Sequence, residues 1–206
     1  MYILTILDFW RCGIYHITFY ILSHDTKGRI RLIYFQKNCI VDMVGKVLSF
    51  QLVFRDKKGD ILTLRLYKPE DRQKLLEMYE KFHPEDRSFG LPPASRSTIE
   101  AWLEYLEREG YSIVAEHNDK IVGHLALVPF NEDLELCMFI SREYQNRGIG
   151  QRMVSFAIEL AKNLDYFGIV LTTEKDNKRA IRIFTKAGFE VCGEEGGIQM
   201  RLSLED

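Results

Sequence analysis

Gln145-Asn146-Arg147-Gly148-Ile149-Gly150 stands between two segments of opposite character, and that junction decides the fold. Before it runs a short apolar stretch, Leu134 to Ile140, bracketed by the turn-forming Pro129-Phe130-Asn131-Glu132-Asp133 and the polar Ser141-Arg142-Glu143, which reads as a buried strand. After it, Ile149, Met153, Phe156, Ala157, Leu160, Ala161 and Leu164 recur at helical spacing and put an apolar stripe on one face of a helix. A glycine loop thus joins a strand to a helix N-terminus. Such a terminus offers unpaired backbone N–H groups and a partial positive charge, and Gly148 and Gly150, lacking side chains, let a bulky anion come close to the backbone. The unit suits a phosphate or diphosphate. A dinucleotide fingerprint needs a third glycine, where Arg152-Met153 stand, and an NTPase loop needs a lysine followed by a hydroxyl residue, also missing.

A second segment follows. Gly168-Ile169-Val170-Leu171-Thr172 reads as a strand, Asn177 as the N-cap of a helix carrying Ala180, Ile181, Phe184 and Ala187, and Gly188 as its left-handed C-terminal residue before Phe189-Glu190-Val191-Cys192. With Gln145-x-x-Gly148-x-Gly150 upstream and Asn177, Ala180, Phe184, Lys186, Gly188 and Phe189 downstream, the chain resembles the GNAT superfamily of acyl-CoA-dependent N-acyltransferases, in that family's order and at a similar separation. The resemblance implies an α+β fold, a mixed and mostly antiparallel sheet flanked by helices. It also implies acetyl-CoA as co-substrate, a primary amine of a small molecule or protein as acceptor, and no metal.

The 206 residues are 46% hydrophobic and 28% charged, with net charge -2, which fits a soluble globular chain and gives no electrostatic case for nucleic acid or an anionic membrane as partner. Cys12, Cys39, Cys137 and Cys192 are far apart, so neither a disulfide framework nor zinc is expected. Asp8, Arg11 and His16 interrupt the apolar beginning, and no run reaches the ~18 residues of a membrane span, so a cytoplasmic location is expected.

From Ile61 the pattern predicts a strand to Tyr67 and a helix opened by Pro69-Glu70-Asp71, with Leu75, Leu76 and Tyr79 inward. A loop from His83 to Pro93 follows, then a second helix capped by Ser97 or Thr98 and ended by Gly110. A hairpin of Tyr111–Ala115 with Ile121–Val128 and a last strand containing Ile198, Met200, Leu202 and Leu204 complete it. Residues 61–206 are expected to be the acetyltransferase domain. Residues 1–60 read as an antiparallel β extension, with strands Ile14–Leu22, Arg29–Phe35, Ile40–Val44 and Val47–Phe54. It serves either partner or substrate recognition, or as added core or a homodimer surface.

Carried over by position, Met138, Phe139 and Ile140 would hold the pantetheine arm through main chain, and Asn146, Arg147, Gly148, Ile149, Gly150 and Gln151 the diphosphate. Asn177 would contact the coenzyme as well as cap its helix. Lys175, Lys178, Arg179 and Arg182 crowd a helix start where cations are disfavoured unless a phosphate is near. A protonated amine, pKa ~10.4, needs a base, for which Glu135 and Glu174 are the candidates, Thr172 standing where some relatives have glutamate. Phe184 replaces the family's usual tyrosine proton donor. The thiolate, pKa ~8.5, then leaves unassisted or with help from water, Tyr144 or Tyr166. Cys137 lacks a sequence-near base, His83 and His124 are further proton carriers to weigh, and Arg87 can orient an acidic group on the acceptor. The Phe184 departure leaves a second reading, a catalytically weak acyl-CoA-binding regulatory module.

Overall fold

The computed structural model describes residues 19–24, 30–36, 39–41, 47–48, 51–89 and 91–205, with side chains in the last two ranges. It divides into two compact units, Met1–Phe50 and Gln51–Asp206. In the first, β1 (Phe19–His24), β2 (Ile30–Gln36), β3 (Cys39–Val41) and β4 (Val47–Leu48) form an antiparallel sheet in sequence order. The expected turn at 24–28 lies largely outside the described residues.

In the second unit, β5 (Gln51–Arg55) pairs antiparallel with β6 (Ile61–Leu66), so the strand read as Val47–Phe54 is two strands in different sheets. The unit boundary falls at Phe50, ten residues before the one expected from sequence, because the Asp56–Asp60 turn is the corner of a hairpin. The eight-stranded sheet runs β11-β12-β10-β9-β8-β7-β6-β5, with β7 (Tyr111–His117), β8 (Lys120–Phe130), β9 (Asp133–Ile140), β10 (Gly168–Thr173), β11 (Glu190–Gly193) and β12 (Ile198–Ser203). All neighbours are antiparallel except β9 and β10, which the intervening helix makes parallel. The mixed, mostly antiparallel sheet expected from the sequence is therefore the one observed.

Among the described residues, four α-helices flank it. A 3₁₀ turn at Pro69–Asp71 leads into α1 (Arg72–Glu80), which buries Leu75, Leu76, Met78 and Tyr79. The next, α2 (Arg96–Glu109), is capped by Ser95 and not by Ser97 or Thr98: the Ser95 hydroxyl accepts from the Thr98 amide at 3.2 Å while Thr98 Oγ1 accepts from the Ser95 amide at 3.3 Å. Gly110 ends it as expected. The remaining two are α3 (Ile149–Asn163) and α4 (Lys178–Lys186). Alternation along β8 assigns helices to faces: a methyl on Gly123 would sit 3.1 Å from Met153 Sδ of α3, whereas the next residue, His124, meets Tyr79 of α1.

That contact is a buried polar pair in an aromatic cluster with Phe82, Trp102 and Phe139. Tyr79 Oη and His124 Nδ1 lie 2.5 Å apart, and His124 Nε2 has no partner among the described residues. Burial pushes the His124 pKa down to about 3. The unfolded ring takes a proton near 6.5. Between those values the unfolded chain binds the extra proton, so folding stability drops as pH falls, at a slope of about 1.4 kcal/mol per pH unit from this residue. His124→Gln keeps a partner for Tyr79 and removes the titration. Urea denaturation from pH 6.5 down to about 5 should show a shallower loss in the variant; equal slopes would refute the assignment.

Candidate active site

The pairing of β9 with β10 sets the site. Asp133, Leu134 and Glu135 match Gly168, Ile169 and Val170, and then the strands part. From Leu136 to Ile140, β9 remains paired to β8 on its other side, so its backbone groups on the β10 side have no ladder partner among the described residues there. Into the gap points the N-terminus of α3. Gly148 is its N-cap at φ +86, without a side chain to cap the first amides. Arg152 is the first residue whose N–H reaches back within the turn, to Gly148 O at 3.4 Å, which leaves the amides of Ile149, Gly150 and Gln151 aimed outward. A Cβ on Gly150 would press within 3.3 Å of Ile140 Cδ1 and Ile183 Cδ1, so the glycine keeps the floor open.

Around this gap lies a cleft of about 790 Å³, within the size range of small-molecule sites. Of the cofactor residues expected from sequence, Met138, Phe139, Ile140, Asn146, Gly148, Ile149, Gly150, Gln151 and Asn177 line it together. Asn177 also caps α4, accepting from the Ala180 amide at 3.1 Å. Lys178, Arg179 and Arg182 line the cleft at that helix start, whereas Lys175 pairs with Glu194 at 3.6 Å.

Arg147 departs from the expectation. It is not among the residues lining the cleft; its side chain packs over the Tyr144 ring at 4.6 Å, and bonds Asp60 Oδ2 at 2.8 Å and Asp56 Oδ2 at 3.2 Å. The residue that sequence reasoning left out is Gln145: its Nε2 donates to Ile140 O at 3.0 Å, and its Oε1 accepts from Arg179, tying the end of β9 to α4. It is the first letter of the glycine motif, so the signal was present. Lys57 and Phe82 also line the cleft, but nothing local in sequence marks them.

The two candidate bases separate. Glu135 is exposed at the last β9–β10 pair and does not line the cleft. Glu174, just past the end of β10, does. Its Oε1 accepts from the Phe89 amide at 3.2 Å, and the Phe89 ring lies against Gly197, where a Cβ would come within 2.8 Å of it. The loop from His83 thus reaches the β10 side of the cleft. On that loop Asp86 is held by Arg142 at 2.8 Å, and Arg87 lines the cleft with its Nε buried and unpartnered among the described residues. His83 accepts from the Glu85 amide, a turn cap.

The other proton carriers are poorly placed. Phe184 is buried, edge-on to Phe189 at 5.3 Å. Tyr144 lines the cleft, but its hydroxyl shares a 2.9 Å hydrogen bond with His117 Nδ1, and Tyr166 lies outside. Burial pushes the Cys137 thiol up to about 12, which leaves it un-ionised and a poor nucleophile. Among the described residues no group of His, Cys, Asp and Glu could hold a metal ion, and no helix is long and apolar enough to cross a membrane.

Residues 72–189 match the model of the acetyltransferase (GNAT) family. The chain is 33% identical over 85 residues to spermidine N(1)-acetyltransferase of Escherichia coli K12, covering 39% of this chain and 46% of that protein. It is 24% identical over 155 residues to the spore coat polysaccharide biosynthesis protein SpsD of Bacillus subtilis, covering 71% and 54%. The chain thus spans about half the length of these curated relatives. Among solved structures, yncA of Salmonella typhimurium with its cofactor acetyl-CoA superposes with a TM-score of 0.60 at 20% identity, over 70% of this chain and 95% of that one.

Proposed function

The chain belongs to the GNAT family of acetyltransferases, and from that premise we propose that it moves an acetyl group from acetyl-CoA to a primary amine, by direct attack within a ternary complex. One observation carries the reading: β9 and β10 part after Glu135 and Val170, beside the outward-facing amides at the start of α3. The parted edge at Met138–Ile140 suits the amide-bearing pantetheine arm, and the amides of Ile149, Gly150 and Gln151 suit a diphosphate. The residues present therefore fit acetyl-CoA, which supplies an activated thioester carbonyl when bound.

This chain's side chains do the rest. Glu174 accepts the proton from the acceptor's ammonium, directly or through one water, with Phe89 N–H fixing one carboxylate oxygen. Arg87, its Nε without a partner among the described residues, faces an anionic group of the acceptor. Phe184 cannot donate a proton, so the thiolate departs without a tyrosine and is protonated by solvent. A thiol pKa of ~8.5 makes that departure tolerable.

Phe184 also favours the second reading, an acyl-CoA-binding module with little turnover. Incubating the full chain with radiolabelled acetyl-CoA and a panel of primary amines, spermidine and lysine-containing peptides among them, separates the two. Transfer to at least one amine is expected. Calorimetric binding of CoA with no transfer to any amine would favour the module, and absence of binding would overturn both.

A further inference from the structure

The hairpin corner between β5 and β6 lies outside the family-matched residues 72–189, yet it is fastened to the glycine loop of the site. Asp56 is buried, and its Oδ1 accepts from the amides of Lys58 at 2.8 Å and Asp60 at 3.0 Å, closing the corner on itself. Its other oxygen and Asp60 clamp the Arg147 guanidinium. The Lys57 amide donates to Arg147 O at 3.1 Å, which adds a backbone link to the loop. Despite burial, which opposes ionisation, bonds from Arg147 and the two amides hold the Asp56 carboxyl below its ordinary range, so the clamp is charged at neutral pH.

This fastening has one consequence for the cleft. A Cβ on Gly148 would touch Lys57 Cε at 3.8 Å and Cγ at 3.9 Å, so the lysine stem lies across the loop, and the residue lines the cleft. Its ammonium has no carboxylate partner among the described residues, whereas Arg147, the loop's own cation, is spent on the two aspartates. We propose that Lys57 supplies a cation to the diphosphate site, delivered from the β5–β6 corner across Gly148, and that the Asp56–Arg147–Asp60 clamp exists to hold it there. The inference rests on the acetyl-CoA reading above and adds a binding residue to it.

Calorimetry with CoA, dephospho-CoA and pantetheine tests it. Lys57→Ala is expected to raise the Kd for CoA on the order of tenfold, as for loss of one partly solvated charge-assisted contact. The same factor is expected with dephospho-CoA, which keeps the diphosphate, and none with pantetheine, which has no phosphate. Lys57→Arg should restore most of the affinity. Raising salt from about 0.02 M to about 0.5 M should shrink the difference between wild type and Lys57→Ala. Lys57 is exposed, so the alanine variant should keep the wild-type melting temperature. An unchanged Kd, or a loss present with CoA and absent with dephospho-CoA, overturns the proposal while leaving the acetyl-CoA reading intact. If the unaltered chain binds no CoA, that reading itself falls.

Discussion

Gly148→Val should raise the Kd for CoA on the order of 100-fold while leaving the chain folded. Gly148 sits at φ +86, where a β-branched residue is a genuine outlier, and holding one there costs roughly 1–3 kcal/mol. The chain relieves that strain by rotating the peptides around the N-cap, and those peptides carry the amides that face the cleft. The new side chain also meets the Lys57 stem. Gly150→Ala makes the contrast. Its Cβ would press on Ile140 Cδ1 and Ile183 Cδ1 at 3.3 Å and Met138 Cε at 3.4 Å, all flexible tips, so its effect should stay within about threefold. Calorimetry with CoA, alongside circular dichroism for folding, reads both. A folded Gly148→Val protein with wild-type affinity would remove the α3 N-terminus from the binding site.

What the sequence made legible is what is encoded locally. The run Leu134–Ile140, the glycine pair and the helical stripe from Ile149 are contiguous, and strand, loop and helix follow from side-chain period and backbone freedom alone. Asn177 and Gly188 were readable for the same reason: each acts on the helix it borders, one by accepting from the Ala180 amide, the other at φ +95. The ion pairs of Arg147 were not legible because its partners Asp56 and Asp60 are 91 and 87 residues away, and no local pattern announces a long-range ion pair. Lys57 was hidden likewise. The split between β4 and β5 was lost because Val47–Phe54 holds no glycine or proline, only Ser49 and Gln51 among apolar residues, and period cannot mark where a strand leaves one sheet for another. The parting of β9 from β10 is a property of pairing register, absent from composition. The β8–β9 register beside it runs without a shift, so nothing on that side announces it either.

Glu174→Gln is the decisive substitution for the proposed chemistry, because it removes the proposed base and little else. Gln at this position still offers an Oε1 to the Phe89 amide, so the loop keeps its anchor and the CoA Kd should not move. At neutral pH kcat/KM should fall by about 10²–10⁴, the usual scale of a lost general base. Glu135→Gln, on an exposed side chain outside the cleft, should stay within about twofold. The pH profile gives a readout that a merely structural role would not move. Below the acceptor's pKa, ~10.4 for a lysine-like amine, the free amine rises tenfold per pH unit, and an enzyme without its base depends on that supply. The variant's rate should therefore climb as pH rises, and the ratio of wild type to variant should shrink. A constant ratio would assign Glu174 to positioning the Phe89 loop, and full activity at pH 7 would assign proton removal to solvent reaching the amine through the open cleft.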